Sequence, residues 1–288
     1  MIAGTRPPGF RLPQSTHVGA VHLQVADLAS SLAWYRTVLG FRVLREEARG
    51  AVLGADRPLV HLHLREGVRP VPRRGAYGLF HYAILLPERR TLGAFVSHLG
   101  QLDERVGMAD HTVSEALYLW DPDNLGIEVY ADRPRSTWPQ RGNEVVMTTD
   151  PLDVPDLVRA AEGTSWQGMP DGTTLGHVHL HVGDLDTARG FYHEALGLDV
   201  TVWHYPGALF LSAGGYHHHL GTNTWSPGPA AADDQARLLH WELVLPDEAS
   251  LLEAAASLKE AGYRAERVPE GIATADPWGT ALHLTPRA

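Results

Sequence analysis

The chain has no cysteine. Disulfides and thiolate ligands are therefore excluded, and any metal must sit on His, Asp, Glu or Tyr. Long apolar runs are missing too: nothing approaches the roughly 20 residues needed to span a bilayer. The opening MIAGTRPPGFRLPQST has no apolar signal core, so a cytoplasmic location is expected. Basic stripes are also lacking. With a net charge of −10, neither a nucleic acid nor a membrane is an expected partner. What remains is 288 residues, 44% of them hydrophobic, enough for one large or two ordinary domains with real cores.

Histidine, by contrast, is plentiful, with 17 in the chain. Three fall in LGHVHLHVGDL (175–185), where His177, His179 and His181 alternate with Val178, Leu180 and Val182. That period of two predicts a strand with imidazoles on one face and aliphatics on the other. Asp184 then caps a predicted helix, DLDTARGFYHEALG, which stops at Gly197. Neutral imidazole is the usual ligand for zinc, iron and nickel, so this strand is the first place to look for a metal.

The same pattern occurs earlier. VGAVHLQVADLASSLAWYRTVLGFRVL (18–44) matches residues 175–201 at a constant spacing, setting Asp27 on Asp184 and Leu39-Gly40 on Leu196-Gly197. LFHYAILLP (79–87) matches LLHWELVLP (238–246), with His81 on His240. DPDNLGIEV (121–129) matches DPWGTALHL (276–284), placing Glu128 on His283. A tandem duplication follows. Within each half the hydrophobic pattern reads strand, helix and three strands, twice. The chain is thus an α+β protein of four βαβββ modules, near 18–64, 79–130, 175–225 and 237–286. The expected organisation is an N-terminal arm (1–16), a two-module domain (17–130), a linker (131–174) and a second two-module domain (175–288). The linker is expected to carry one short helix in DVPDLVRAAEG.

These motifs resemble the vicinal oxygen chelate superfamily: H-x-x-L-x-V-x-D-L, then FY-x-x-x-LG, and a closing D-P before I-E. With ALFLSAGGYHHHLGTNTW and ADHTVSEALYLWDPDNLGIEVYADRPRSTW, the chain from 17 to 286 is similar to two-domain catechol 2,3-dioxygenases of the bacillus type. The resemblance implies half-barrels of the glyoxalase/bleomycin-resistance/extradiol-dioxygenase kind. It also implies an Fe(II) ion (Mn(II) or Zn(II) being alternatives) on two His and one Glu, with an aromatic diol and O2 as reactants. A homodimer or higher homo-oligomer is expected.

Carried over residue by residue, the first ligand slot is His177; in the first half that slot holds Ala20, with His22 two residues on. The second slot is His81 or His240, and the third is Glu128 or His283. Two arrangements follow. Modules two and three pair across the linker, within one chain or between subunits, giving His81, Glu128 and His177. Or the last two modules pair, giving His177, His240 and His283. The catalytic positions implied are His218 in YHHHLG as acid–base, with His111 and Tyr118 beside the substrate oxygens. These complement the second and third modules, and the cross-paired site is favoured. The linker of about 40 residues allows it at about 3.3 Å per extended residue. His63, His98 and His193 read as surface or peripheral. Rival readings are a glyoxalase-type isomerase or lyase, which wants a further Glu not found in the third module, and a metal-free binder of an aromatic metabolite or antibiotic.

Overall fold

A computed structural model describes residues 3–72 and 74–287. Each module has the expected βαβββ order. The first comprises β1 (His17–Val25), α1 (Leu28–Thr37), β2 (Arg42–Glu47), β3 (Gly50–Gly54) and β4 (Pro58–Leu64). The second comprises β5 (Gly78–Leu85), α2 (Arg89–Gln101), β6 (Gly107–Asp110), β7 (Ser114–Trp120) and β8 (Gly126–Asp132). A connection follows, with the hairpin β9 (Gln140–Arg141) and β10 (Glu144–Val145) and the helix α3 (Val154–Ala160). The third module is β11 (Thr174–His181), α4 (Leu185–Arg189) running into a π-helical turn at Gly190–Ala195, then β12 (Asp199–Val202), β13 (Ala208–Ser212) and β14 (Leu220–Asn223). The fourth is β15 (Arg237–Leu245), α5 (Glu248–Glu260), β16 (Glu266–Val268), β17 (Gly271–Ala275) and β18 (Ala281–Pro286).

Local chemistry explains the repeated turns. Asp27, Asp184 and Asp247 cap α1, α4 and α5, each accepting a hydrogen bond from a backbone N–H three residues on. Past the helices, Gly40 (φ +69°) and Gly197 (φ +96°) turn the chain into the next strand in a conformation that costs glycine little. The short helix of the connection has Asp153 as its cap and rests on α2, where Gly93 lets the Leu157 carbonyl approach: a Cβ there would lie 2.2 Å from that oxygen.

The strands form two curled eight-stranded sheets, and each sheet draws one module from each half of the duplication. Sheet I runs β12-β13-β14-β11-β5-β8-β7-β6, joining the third module to the second. Sheet II runs β16-β17-β18-β15-β1-β4-β3-β2, joining the fourth to the first. The central pairs are antiparallel, β11 with β5 and β1 with β15. Within one chain, therefore, strand pairing crosses between segments 17–130 and 175–288, while other contacts hold each segment together. Tyr35 of the first module donates to Asp121 of the second (3.1 Å), and Tyr192 of the third donates to Asp276 of the fourth (2.9 Å). One apolar core includes Val21 and Leu23 from sheet II as well as Val178 and Leu180 from sheet I.

The described part of the arm is ordered along the edge of sheet I. Thr5 exchanges backbone hydrogen bonds with Val200, and Arg11 pairs with buried Asp199. Residues 1 and 2 lie outside the described residues. Among the described residues no helix is long and apolar enough to cross a membrane.

Candidate metal centre and active site

His177 and His179 of β11, His81 of β5 and Glu128 of β8 face the concave side of sheet I. All four are buried. Register explains the convergence: His179 pairs with His81 across the antiparallel seam, and Ala83 pairs with Glu128 on the next strand. A bulge between Leu175 and His177 offsets the seam. Glycines clear the space. A Cβ at Gly176 would lie 1.6 Å from the Tyr130 hydroxyl, so only glycine lets that ring stand beside His177, with centroids 5.1 Å apart. A Cβ at Gly221 would press on the His179 ring at 2.8 Å.

Two imidazoles converge on one carboxylate oxygen. His177 Nε2 is 3.1 Å and His81 Nε2 3.0 Å from Glu128 Oε2. One ligand atom from each of the three lies within 4.8 Å of the others. His177 Nε2 donates to the carboxylate, whereas His81 Nε2 lies off any hydrogen-bond direction, and both ring nitrogens of His81 are buried without a hydrogen-bond partner. Burial alone would push Glu128 up, but the flanking His177 and His81 hold it well below the usual carboxylate range. Burial also lowers both imidazoles, leaving them uncharged. Two neutral imidazoles with one ionised carboxylate, one ring lacking any partner, suit a divalent first-row metal.

The remaining expected residues surround this group. Tyr118 lies opposite Glu128 on the neighbouring strand, and its hydroxyl is 2.6 Å from His111 Nε2. His111 Nδ1 donates to the Thr148 carbonyl at 2.7 Å. That bond leaves Nε2 as the acceptor in a neutral ring, with the Tyr118 hydroxyl donating to it. Burial, with Glu128 nearby, pushes the Tyr118 phenol well above its usual value. His218 faces His177 from the other side, with ring centroids 4.0 Å apart.

The histidine run differs from a simple alternating strand. His217–His219 precede β14 in an irregular loop, so facing is set by partners and not by strand alternation. His217 donates from Nε2 to Asp132 (2.9 Å), and its Nδ1 lies 2.7 Å from His218 Nδ1. With His217 Nε2 protonated toward the carboxylate, its Nδ1 accepts, His218 Nδ1 donates, and His218 Nε2 is left as a bare acceptor. His219 turns away and accepts from the Ala213 N–H.

These groups line a cavity of about 280 Å³ that also presents Phe80, Phe210, Tyr205 and Trp225. Glu128 is the sole carboxylate among the described residues lining it. The aromatic lining was not anticipated from sequence, although Phe80, Phe210 and Trp225 fall within quoted motifs and Tyr205 alone does not. Tyr205 reaches the wall through the Thr149 hydroxyl (2.5 Å), so the connection between halves completes the site. A larger cleft of about 520 Å³ is lined by Tyr77, Phe80, Trp120, His181 and Trp278 among others, with no carboxylate among its described lining residues. The smaller cavity is the one lined by the candidate ligands His81, Glu128 and His177.

Other sequence expectations fall elsewhere. His240 and His283 belong to sheet II, where His240 stacks on both His283 and His22, so among the described residues they form no group with His177. His193, expected at the periphery, is buried and donates to the Leu198 carbonyl. It lies in the π-helical turn at Gly190–Ala195.

A family model described as the Glyoxalase/Bleomycin resistance protein/Dioxygenase superfamily matches residues 16–129 and 174–282. A catechol-2,3-dioxygenase of Bacillus subtilis (strain 168) is 43% identical over 271 residues, covering 92% of this chain and 95% of its own. A solved Bacillus subtilis structure assigned as a dioxygenase superposes with a TM-score of 0.68 at 13% identity, covering 96% of this chain and 86% of its own. Glyoxalase I from Zea mays superposes at 0.58 and 18% identity, covering 94% and 92%. At such identities the two structures speak for the fold alone.

Proposed function

The chain belongs to the Glyoxalase/Bleomycin resistance protein/Dioxygenase superfamily, and we propose that it is an Fe(II)-dependent extradiol dioxygenase opening a catechol-type ring beside its two hydroxyls. The observation that carries this reading is the convergence of His81, Glu128 and His177 on one wall of a small aromatic cavity. Two His and one carboxylate occupy one face of a metal and leave its other positions to reactants. The 43% identical catechol-2,3-dioxygenase supports the same substrate class.

His81, Glu128 and His177 would hold the ion, which when bound supplies Lewis acidity toward the substrate oxygens and the redox chemistry needed to use O2. Every other role falls to side chains. Phe80, Phe210, Tyr205 and Trp225 exclude water and sandwich a single ring. His218 accepts a hydroxyl proton at Nε2 and returns it as the ring opens; burial holds the imidazole uncharged beforehand. The Tyr118 hydroxyl turns from His111 Nε2 to donate to the oxygen that gains charge, while His111, held by the Thr148 carbonyl, positions that hydroxyl at the cavity wall. Both oxygen atoms end in the product, and the carbon–carbon bond beside the diol breaks. A glyoxalase-type reaction is disfavoured by the cavity's single carboxylate.

The test is oxygen uptake by anaerobically Fe(II)-loaded protein with catechols, with ¹⁸O2 label counted in the product. We expect two labelled atoms per ring opened. Glu128→Ala should lose both its metal and its turnover, well beyond the roughly 10- to 100-fold cost of removing a group behind a ligand. Turnover that continues without oxygen, or in Glu128→Ala, would overturn the reading. The cytoplasmic location and homo-oligomeric state expected above belong to the same proposal.

A further inference from the structure

Sheet II repeats the cup of sheet I and fills it with different residues. Its concave face carries His22 on β1, His61 and His63 on β4, His240 and Glu242 on β15, and His283 on β18. Matching positions follow from register. His22 lies opposite His240 as His179 lies opposite His81, and Glu242 lies beside His283 as Ala83 lies beside Glu128. The carboxylate has thus moved one strand over. Where sheet I has alanine beside glutamate, sheet II has glutamate beside histidine. At the position matching Gly221, sheet II has His61, which stacks on His22 at 4.1 Å.

The donor atoms converge here as well. His22 Nε2 donates to Glu242 Oε1 at 3.1 Å, and Oε2 accepts the Ala20 N–H at 3.0 Å, which orients the carboxylate. His240 stacks on His22 at 3.8 Å. One ligand atom from each of His22, His240 and Glu242 lies within 4.8 Å of the others. The side chains of His22 and Glu242 are 13% and 24% exposed, so an ion reaches them from solvent. Packing alone does not account for a half-exposed polar face that holds five imidazoles in stacking range around one carboxylate.

We propose that His22, His240 and Glu242 form a second divalent-metal site in the cup of sheet II, taking a borderline ion of the Zn(II) class. Nitrogen donors outnumber oxygen, which favours such an ion over Mg(II) or Ca(II). The open face places this ion in contact with solvent and apart from the aromatic cavity. The inference rests on sheet II alone and is independent of the reaction proposed for sheet I.

The experiment is Zn(II) stoichiometry by equilibrium dialysis on the untagged full chain, with the visible spectrum of Co(II)-loaded protein as a second readout. Two ions per chain are expected for the parent. His240→Ala and Glu242→Gln, each checked for native circular dichroism, should lose one ion or bind it at least about tenfold more weakly. Glu128→Ala should lose only the other. A parent that binds one ion, lost with Glu128→Ala, overturns the second site. So does retention of both ions by His240→Ala and Glu242→Gln. A parent that binds one ion, lost with His240→Ala but kept in Glu128→Ala, upholds this site and overturns the metal centre of sheet I.

Discussion

Asp132 shows how far the chemistry reaches behind the residues that touch the cavity. It accepts from His217, which in turn accepts from His218, so a carboxylate beyond the cavity wall selects the tautomer of the proposed acid–base imidazole. Asp132→Ala removes that selection and leaves the three proposed ligands in place. We expect kcat to fall by about one to two orders of magnitude, the lower part of what positioned proton transfer contributes. Metal content and KM should stay close to the parent. Single-turnover kinetics with metal analysis checks this, and a parallel loss of metal would count against the relay. Single positions also show what sequence conceals. His177, His81 and Glu128 stood out because their slots matched a family pattern. Asp132 and the Thr148 carbonyl did not, because a carboxylate at a strand end and a loop carbonyl carry no signature until the chain has folded.

At the scale of elements, a charged network ties the outer strands of sheet I to the helices over them. Buried Glu115 of β7 accepts from Arg89 of α2 at 2.5 and 2.9 Å, and Arg89 reaches Asp156 of α3. Arg133, just after β8, pairs with Asp110 of β6. The neighbouring guanidinium groups hold the Asp110 and Asp156 carboxyls below their usual range. A carboxylate whose pKa is depressed by folding stabilises the protein above its unfolded value, and that stability is lost as pH falls through the folded value. The buried imidazoles of His81, His177 and His218 should already lower the thermal midpoint as pH falls below about 6.5, and the carboxylate network should add a further decline below about 4. In Arg133→Met the acid decline should be shallower. Calorimetry across pH tests this, and an unchanged slope would count against the network. The helices expected in DVPDLVRAAEG and after Asp184 were legible at their starts, because caps and apolar spacing are local. The π-helical turn at 190–195 was not, since nothing in GFYHEA distinguishes it from an ordinary helix.

The whole molecule is held by two kinds of contact that run in different directions. Backbone hydrogen bonds join the second module to the third and the fourth to the first, while Tyr35–Asp121 and Tyr192–Asp276 join modules within each half. With one core spanning both sheets, neither half buries its apolar face alone. Heating should give one transition, coincident by tryptophan fluorescence and far-ultraviolet circular dichroism. Two separated transitions would show the sheets to be independent. By itself the sequence determined the four βαβββ modules, their duplication, the absence of thiol chemistry and the short set of residues with ligand character, because each follows from period, composition and local caps. Tertiary structure decided the partners. All four modules open with similar strands, so local pattern cannot say which edges meet, and only the packed pair of sheets brings His81 and Glu128 to His177 while sending His240 and His283 to His22.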